Sequence, residues 1–193
     1  LENLRISAIV ERNLNGKLMD VKSGKPIAFG DPIQLRNVRS GKFITICGSV
    51  LADMERENMK TTVDKKGGSN SCLNFLPKLT YDREGQAVTD KIEAYIGIHE
   101  KPGEFLHVAD KAMNFNKESK LYEVNCSLES SSWFITVRHD YVTVKGSMVT
   151  LGHPIILQDP ENLSCLALDP PQNADAINYD YNVDIPVVML SQY

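Results

Sequence analysis

The sequence is poor in the residues that most quickly betray a chemistry. Its 193 residues include one tryptophan, four histidines and four cysteines. The cysteines, Cys47, Cys72, Cys126 and Cys165, never form a C-x-x-C pair. A zinc site needs closely spaced ligands on tight turns, so no metal is expected. All four cysteines fall in apolar stretches, where a reduced thiol behaves as a small hydrophobe. Four buried free thiols in a reducing, cytosolic compartment are therefore expected. No apolar run approaches the roughly 20 residues of a membrane helix, so no membrane span is expected in this segment. The chain opens at Leu1 without a basic stretch leading into an apolar one. No signal peptide is expected, and the absent initiator Met suggests a processed chain or a piece of a longer one.

Positive charge is missing from one end. After Lys145 there is no Lys or Arg, yet Asp159, Glu161, Asp169, Asp175, Asp180 and Asp184 remain. Residues 1–145 carry the other 19 acids against all 21 bases, so the net charge of −4 hides a neutral body and an acidic end. No dense basic stripe exists to displace counterions, which argues against nucleic acid as a partner. The segment 169–184 is expected to be extended and acidic, either a solvated loop or a docking strip for a basic partner.

Catalytic signatures are missing too. No G-x-S-x-G elbow and no H-E-x-x-H helix occurs. The Gly-Lys of "RSGKF" lacks the longer glycine run of a phosphate loop, and a strand pattern follows it where that loop needs a helix. His99 and His107 flank one turn and can approach each other, but the sequence, whose other histidines are His139 and His153, suggests no third ligand. The chain is expected to be neither an enzyme nor a cofactor binder.

What is present is repetition. "GDPIQLRNVRSGKFITI" from Gly30 and "GHPIILQDPENLSCLAL" from Gly152 align over seventeen positions, 122 residues apart. Halving that offset points to "KIEAYIGIHEKPGEFLHV" from Lys91, which reads as a third hairpin. Turn residues recur where each must reverse: Ser40-Gly41, Pro102-Gly103 and Glu161-Asn162. A closing apolar strand follows each hairpin: "SCLNFLPKL" from Ser71, "SSWFITVRHD" from Ser131 and "IPVVMLSQY" from Ile185. "KTTVD" (60–64) and "LYEVNCS" (121–127) supply short inner strands, whereas the third repeat offers only "INYDYNVD" there.

One such unit cannot bury its apolar face alone, and three around an axis can close a barrel. The expected fold is all-β, a β-trefoil of three four-stranded lobes with a period of about 61 residues. An open solenoid is the rival, but three long units that then stop suit closure better. Residues 1–27 are expected as an N-terminal strand ("RISAIV", pairing with "GKLMDV") and lead-in, and 28–193 as the trefoil. "SVLADMEREN" (49–58) is the only stretch with helical spacing. Trp133, Phe134, Phe75, Phe43 and Phe105 are expected in the core, one of each adjacent pair inward, in preference to a sugar-binding shelf.

The best binding cluster is basic. "VKSGKP" (21–26) and "RNVRSGK" (36–42) repeat a Ser-Gly-Lys turn. Lys22, Lys25, Arg36, Arg39 and Lys42 come together if both turns share an end of the barrel. Such a set would bind a phosphate group or an acidic protein surface. Its plainer role is to keep hairpin tips soluble.

The run "FGDPIQLRNVRSGKFITI", then "LADMERENMKTTVD" and "SCLNFLPKL", resembles the N-terminal β-trefoil of inositol trisphosphate receptors, related to ryanodine receptors and MIR modules. "EVNCSLESSSWFITV" (123–137) resembles the next closing strand of that domain, so the likeness spans about residues 28–140. Cys72-Leu73 departs from the Trp-Phe that the family pattern prefers. The resemblance implies a regulatory, protein-contacting domain on the cytosolic face of a calcium-release channel. It transfers no ligand residues, because the family's basic inositol-phosphate site lies mainly in a later trefoil. Two other readings stay open: a scaffold trefoil of a ciliary or cytoskeletal assembly, and a module that itself binds inositol phosphate or carbohydrate.

Overall fold

The structure, a computed structural model, describes Ile6, Val10 and residues 23–116, 119–138, 146–161, 163–167 and 188–192. The strands follow the apolar stretches in order. They are β1 (Ile33–Asn37), β2 (Phe43–Leu51), β3 (Met59–Asp64), β4 (Leu73–Pro77) and β5 (Ile92–Ile98). After these come β6 (Phe105–Asn116), β7 (Ser119–Ser127), β8 (Ser132–Val137), β9 (Pro154–Gln158) and β10 (Val188–Gln192). Alternation makes them strands: Ile33, Leu35 and Asn37 point inward while Gln34 and Arg36 lie half-buried on the other face.

Pairing closes the sheet on itself. β10, β9, β8, β5, β4 and β1 are neighbours in that order, and β1 returns to β10. A second closure runs through β5, β4, β1, β2, β3, β7 and β6, because β6 pairs back onto β5. The architecture is an all-β closed barrel, which leaves fewer exposed strand edges than an open sheet.

The core repeats with the sequence. Leu35, Ile96 and Leu157 stand 61 residues apart, as do Ile33, Ala94 and Ile155, and all six are fully buried. Across the pairing, Ile33 faces Leu73, Ala94 faces Trp133 and Ile155 faces Val188. The smallest residue of its set thus opposes the largest of the other. Volume is conserved across the pair although neither residue is, the kind of exchange a close-packed core tolerates.

The strongest repeat is a ring of backbone hydrogen bonds. Ile27 N–H donates to the Val149 carbonyl (2.9 Å), Val149 N–H to Val88 (2.8 Å) and Val88 N–H to Ile27 (2.8 Å). These residues are again 61 apart, and each is buried. Three positions on, Gly30 (φ 90°), Lys91 (φ 61°) and Gly152 (φ 80°) all turn through left-handed backbone before their strands begin.

Some expectations change. Residues 49–58 form no helix: 49–51 continue β2 and 52–58 turn back. The Asp53 and Met54 N–H groups, the first that a helix from residue 49 would pair, are taken by the Glu123 carboxylate, and Ala52 N–H bonds Asn58 C=O (2.9 Å). Ile6 and Val10, where a strand was expected, carry helical backbone and are half exposed. Cys72 and Cys126 are buried free thiols, but Cys47 is half-buried and Cys165 is exposed. Cys165 makes only an isolated bridge to Gln158, beside a turn rather than within a packed strand. Trp133 and Phe75 are buried, whereas Phe43, Phe105 and Phe134 are half-buried. Lys22, His139, "GKLMDV" and the segment 169–184 lie outside the described residues.

Candidate functional site

Of the basic cluster, Lys25, Arg36, Arg39 and Lys42 fall within the described residues and Lys22 lies outside them. Lys25 belongs to a turn stitched to the third repeat, where Gly24 N–H donates to Leu151 C=O (2.8 Å) and Leu151 N–H to Lys25 C=O (2.9 Å). That turn precedes the entry into β1, whereas Arg39 and Lys42 follow its exit. Arg36 is half-buried in the middle of β1, and both it and Arg39 have interaction partners. The second Ser-Gly-Lys turn is held by its own hairpin: Asn37 Oδ1 accepts Ser40 N–H (2.8 Å), and Gly41 takes φ 66°.

The structure builds a polar groove of about 430 Å³ beside the β6–β7 hairpin. Tyr95 from β5, His107 and Asp110 from β6, the β7–β8 turn and the turn after β9 contribute to its wall. At one end Lys78 Nζ meets Glu93 Oε1 (2.5 Å) and Ser132 Oγ (3.1 Å), and Ser132 Oγ donates to Glu93 (2.7 Å). Burial pushes the Glu93 carboxyl up, but the hydrogen bonds from Lys78 and Ser132 and the Lys78 charge outweigh it and hold the group below its usual range.

Deeper in, His107 is only 6% exposed. Its Nδ1 lies 2.8 Å from Ser131 Oγ, and its Nε2 lies 3.5 Å from Glu55 Oε2. Ser131 Oγ also accepts Val108 N–H (2.9 Å). Glu55 gathers donors from two regions: Asn58 Nδ2 (2.9 Å) from its own loop, and Asn125 Nδ2 (2.9 Å) and Asp110 N–H (3.0 Å) from the second hairpin. Burial raises its pKa, yet the bonds from Asn125, Asp110 and Asn58 and the charge of His107 bring it below the usual glutamate range.

Glu123 reciprocates from β7, accepting Asp53 N–H (2.9 Å) and Met54 N–H (2.7 Å). Two carboxylates, one on each side, thus staple the 52–58 loop to the second hairpin. The order serine, histidine, carboxylate is that of a nucleophilic triad. Here the serine oxygen already accepts the Val108 amide, which draws electron density from it. The arrangement conducts hydrogen bonds between groove and loop.

Of the residues the sequence singled out, His107, Asp159 and Glu161 belong to this site, and His99 is exposed with its N–H on Cys72 C=O (3.0 Å). Glu55, Glu123 and Ser131 were missed. Glu55 and Asn125 are 70 residues apart, and no short-range spacing announces a bond over that separation. Among the described residues no group of His, Cys, Asp and Glu is arranged to hold a metal ion, and no helix is long and apolar enough to cross a membrane.

The comparisons agree with one another in part. The inositol 1,4,5-trisphosphate/ryanodine receptor family model matches residues 3–144. The inositol 1,4,5-trisphosphate receptor itr-1 of Caenorhabditis elegans is 25% identical over 186 residues, covering 90% of this chain and 6% of that receptor. The chain therefore spans only a small fraction of the length of that relative.

Solved structures share the fold at lower identity. A Caenorhabditis elegans protein of unknown function superposes with a TM-score of 0.65 at 15% identity, covering 88% of this chain and 97% of its own. The SDF2-like protein of Arabidopsis thaliana gives 0.65 at 16%, covering 86% and 94%. The protein O-mannosyltransferase Pmt1-Pmt2 complex of Saccharomyces cerevisiae, bound to its sugar donor, gives 0.62 at 12%, covering 86% of this chain and 25% of that one. At such identities the likeness speaks for the fold alone. With a family model matched from residue 3 to residue 144, the chain belongs to the inositol 1,4,5-trisphosphate/ryanodine receptor family.

Proposed function

We propose that this chain is a non-enzymatic β-trefoil domain that acts through protein–protein contacts, as a regulatory part of a cytosolic receptor assembly of the calcium-release type. Membership of the receptor family, over residues 3–144, is the observation that carries the reading. The trefoil is supported by the hydrogen-bonded ring of Ile27, Val88 and Val149, whose members recur every 61 residues. A rigid closed barrel suits a domain that passes on shifts between neighbours. Its carboxylate-stapled loop and the basic β1–β2 turn (Arg39, Lys42) offer distinct surfaces for doing so.

Cross-linking of the tagged chain in its native cells, followed by mass spectrometry, tests the proposal. Cross-links to segments of a membrane-spanning receptor polypeptide are expected. Cross-links confined to cytoskeletal or ciliary proteins would replace the reading with a scaffold. Direct, salt-sensitive binding of inositol phosphate or sugar that is lost on reversing Arg39 and Lys42 would replace it with a ligand-binding module.

A further inference from the structure

The chain Val108–Ser131–His107–Glu55 has a definite direction that the donors and acceptors impose. Ionised Glu55 can only accept, and its charge 3.5 Å from Nε2 favours the neutral tautomer that carries its proton there. Nδ1 is then an acceptor, and Ser131 must donate its hydroxyl hydrogen to it across 2.8 Å. The Ser131 oxygen keeps one lone pair for Val108 N–H at 2.9 Å. In this state the serine has no hydrogen left for the groove.

A second proton on His107 reverses the middle link. Nδ1–H becomes a donor, Ser131 Oγ accepts from both Nδ1 and Val108, and its own hydrogen must turn away from the ring. The direction left open is the groove, whose wall Ser131 shares with the carboxylates of Asp110, Glu129, Asp159 and Glu161. Glu55 faces the ring from the 52–58 loop, and Asp110, Glu129, Asp159 and Glu161 stand along the groove from three further segments. The one lysine there, Lys78, is already engaged by Glu93.

We propose that Ser131, His107 and Glu55 form a protonation-read switch: a proton on His107 turns the Ser131 hydroxyl from the ring into the groove and tightens the hold on Glu55. The groove would then present a donor below the switching pH and none from Ser131 above it. The same event links the groove to the loop that Glu55 fixes.

Nuclear magnetic resonance on the full chain, titrated from about pH 8 to about pH 5, where histidine changes charge, tests this. The His107 ring carbons are expected to titrate, and the Val108 and Asp110 amides to shift with the same midpoint. In Ser131→Ala the ring should still titrate while the Val108 shift is lost. In His107→Gln both responses should vanish, with the Ile27, Val88 and Val149 amides still protected as a control for folding. A His107 ring that stays neutral throughout would overturn the switch, and so would a Val108 response that survives in Ser131→Ala. Should the glutamine variant not fold, the other two arms decide.

Discussion

At Glu55 burial and hydrogen bonding act in opposite senses, and hydrogen bonding wins. A carboxyl held below its unfolded pKa stabilises the fold fully above that unfolded value, and the benefit is lost as pH falls through the folded one. Glu55→Gln should therefore flatten the loss of stability in acid and cost about 1–3 kcal/mol near neutral pH, as urea unfolding at both pH values would measure. Cys126 runs the other way. Burial, then its bond to Glu104, pushes its thiol from 9.0 up to about 12. The folded state keeps its proton longer, so this contribution is whole below about 9.0 and falls as pH rises toward about 12. Although burial also raises the Cys165 thiol, alkylation of the native protein should reach exposed Cys165 first and leave Cys126 unmodified until the chain unfolds, as peptide mapping would record. From the sequence all four cysteines looked alike, because each sits among apolar neighbours. Cys165 differs only because it stands beside a turn, and turns are exposed.

Elements were the most legible scale. Period-two alternation marked β1, β4, β5, β8 and β9, because a strand with one buried face writes its burial directly into the sequence. The 49–58 stretch misled for the complementary reason: its helical spacing is real, but Glu123, 69 residues from Met54, takes the first two amides such a helix would pair. Strand entry gives a sharper test. Gly30, Lys91 and Gly152 share a left-handed turn that costs a side chain about 1–2 kcal/mol. Lys91→Gly should stabilise the protein by about 1 kcal/mol, and Gly30→Ala should destabilise it by a similar amount, as paired thermal melts would reveal. Within β5, a Cβ on Gly97 would stand 2.6 Å from Asn74 Oδ1 and 2.7 Å from Leu76 Cδ1. Gly97→Val is expected to cost about 1–3 kcal/mol by overpacking, read as a lower denaturation midpoint with an unchanged slope.

On the scale of the whole molecule, closure matters most. The family match ends at residue 144, yet β9 and β10 lie beyond it and complete the first ring. β1 pairs with β10 over five residues, from Ile33–Gln192 to Asn37–Val188. A chain cut after residue 144 would leave β1 and β8 with open edges and the fully buried Ile33, Leu35, Ile135 and Val137 facing water. It is expected to lose the cooperative unfolding transition of the full chain and to bind a hydrophobic dye, whereas a cooperative transition in the cut chain would show that the second closure, through β6 and β5, is enough. The 61-residue period pointed to this organisation before any contact was known. Which strands meet at the seam was not readable, since β1 and β10 lie at opposite ends of the described barrel sequence.

The sequence by itself determined the all-β character, the repeat and the inward faces, because each is a local pattern of apolar residues and turns paid out along the chain. Tertiary structure alone decided the functional surface. It joined Glu55, His107 and Ser131 across three segments. Hydrogen bonds between residues dozens of positions apart depend on where closure places them, and closure is a property of the whole barrel.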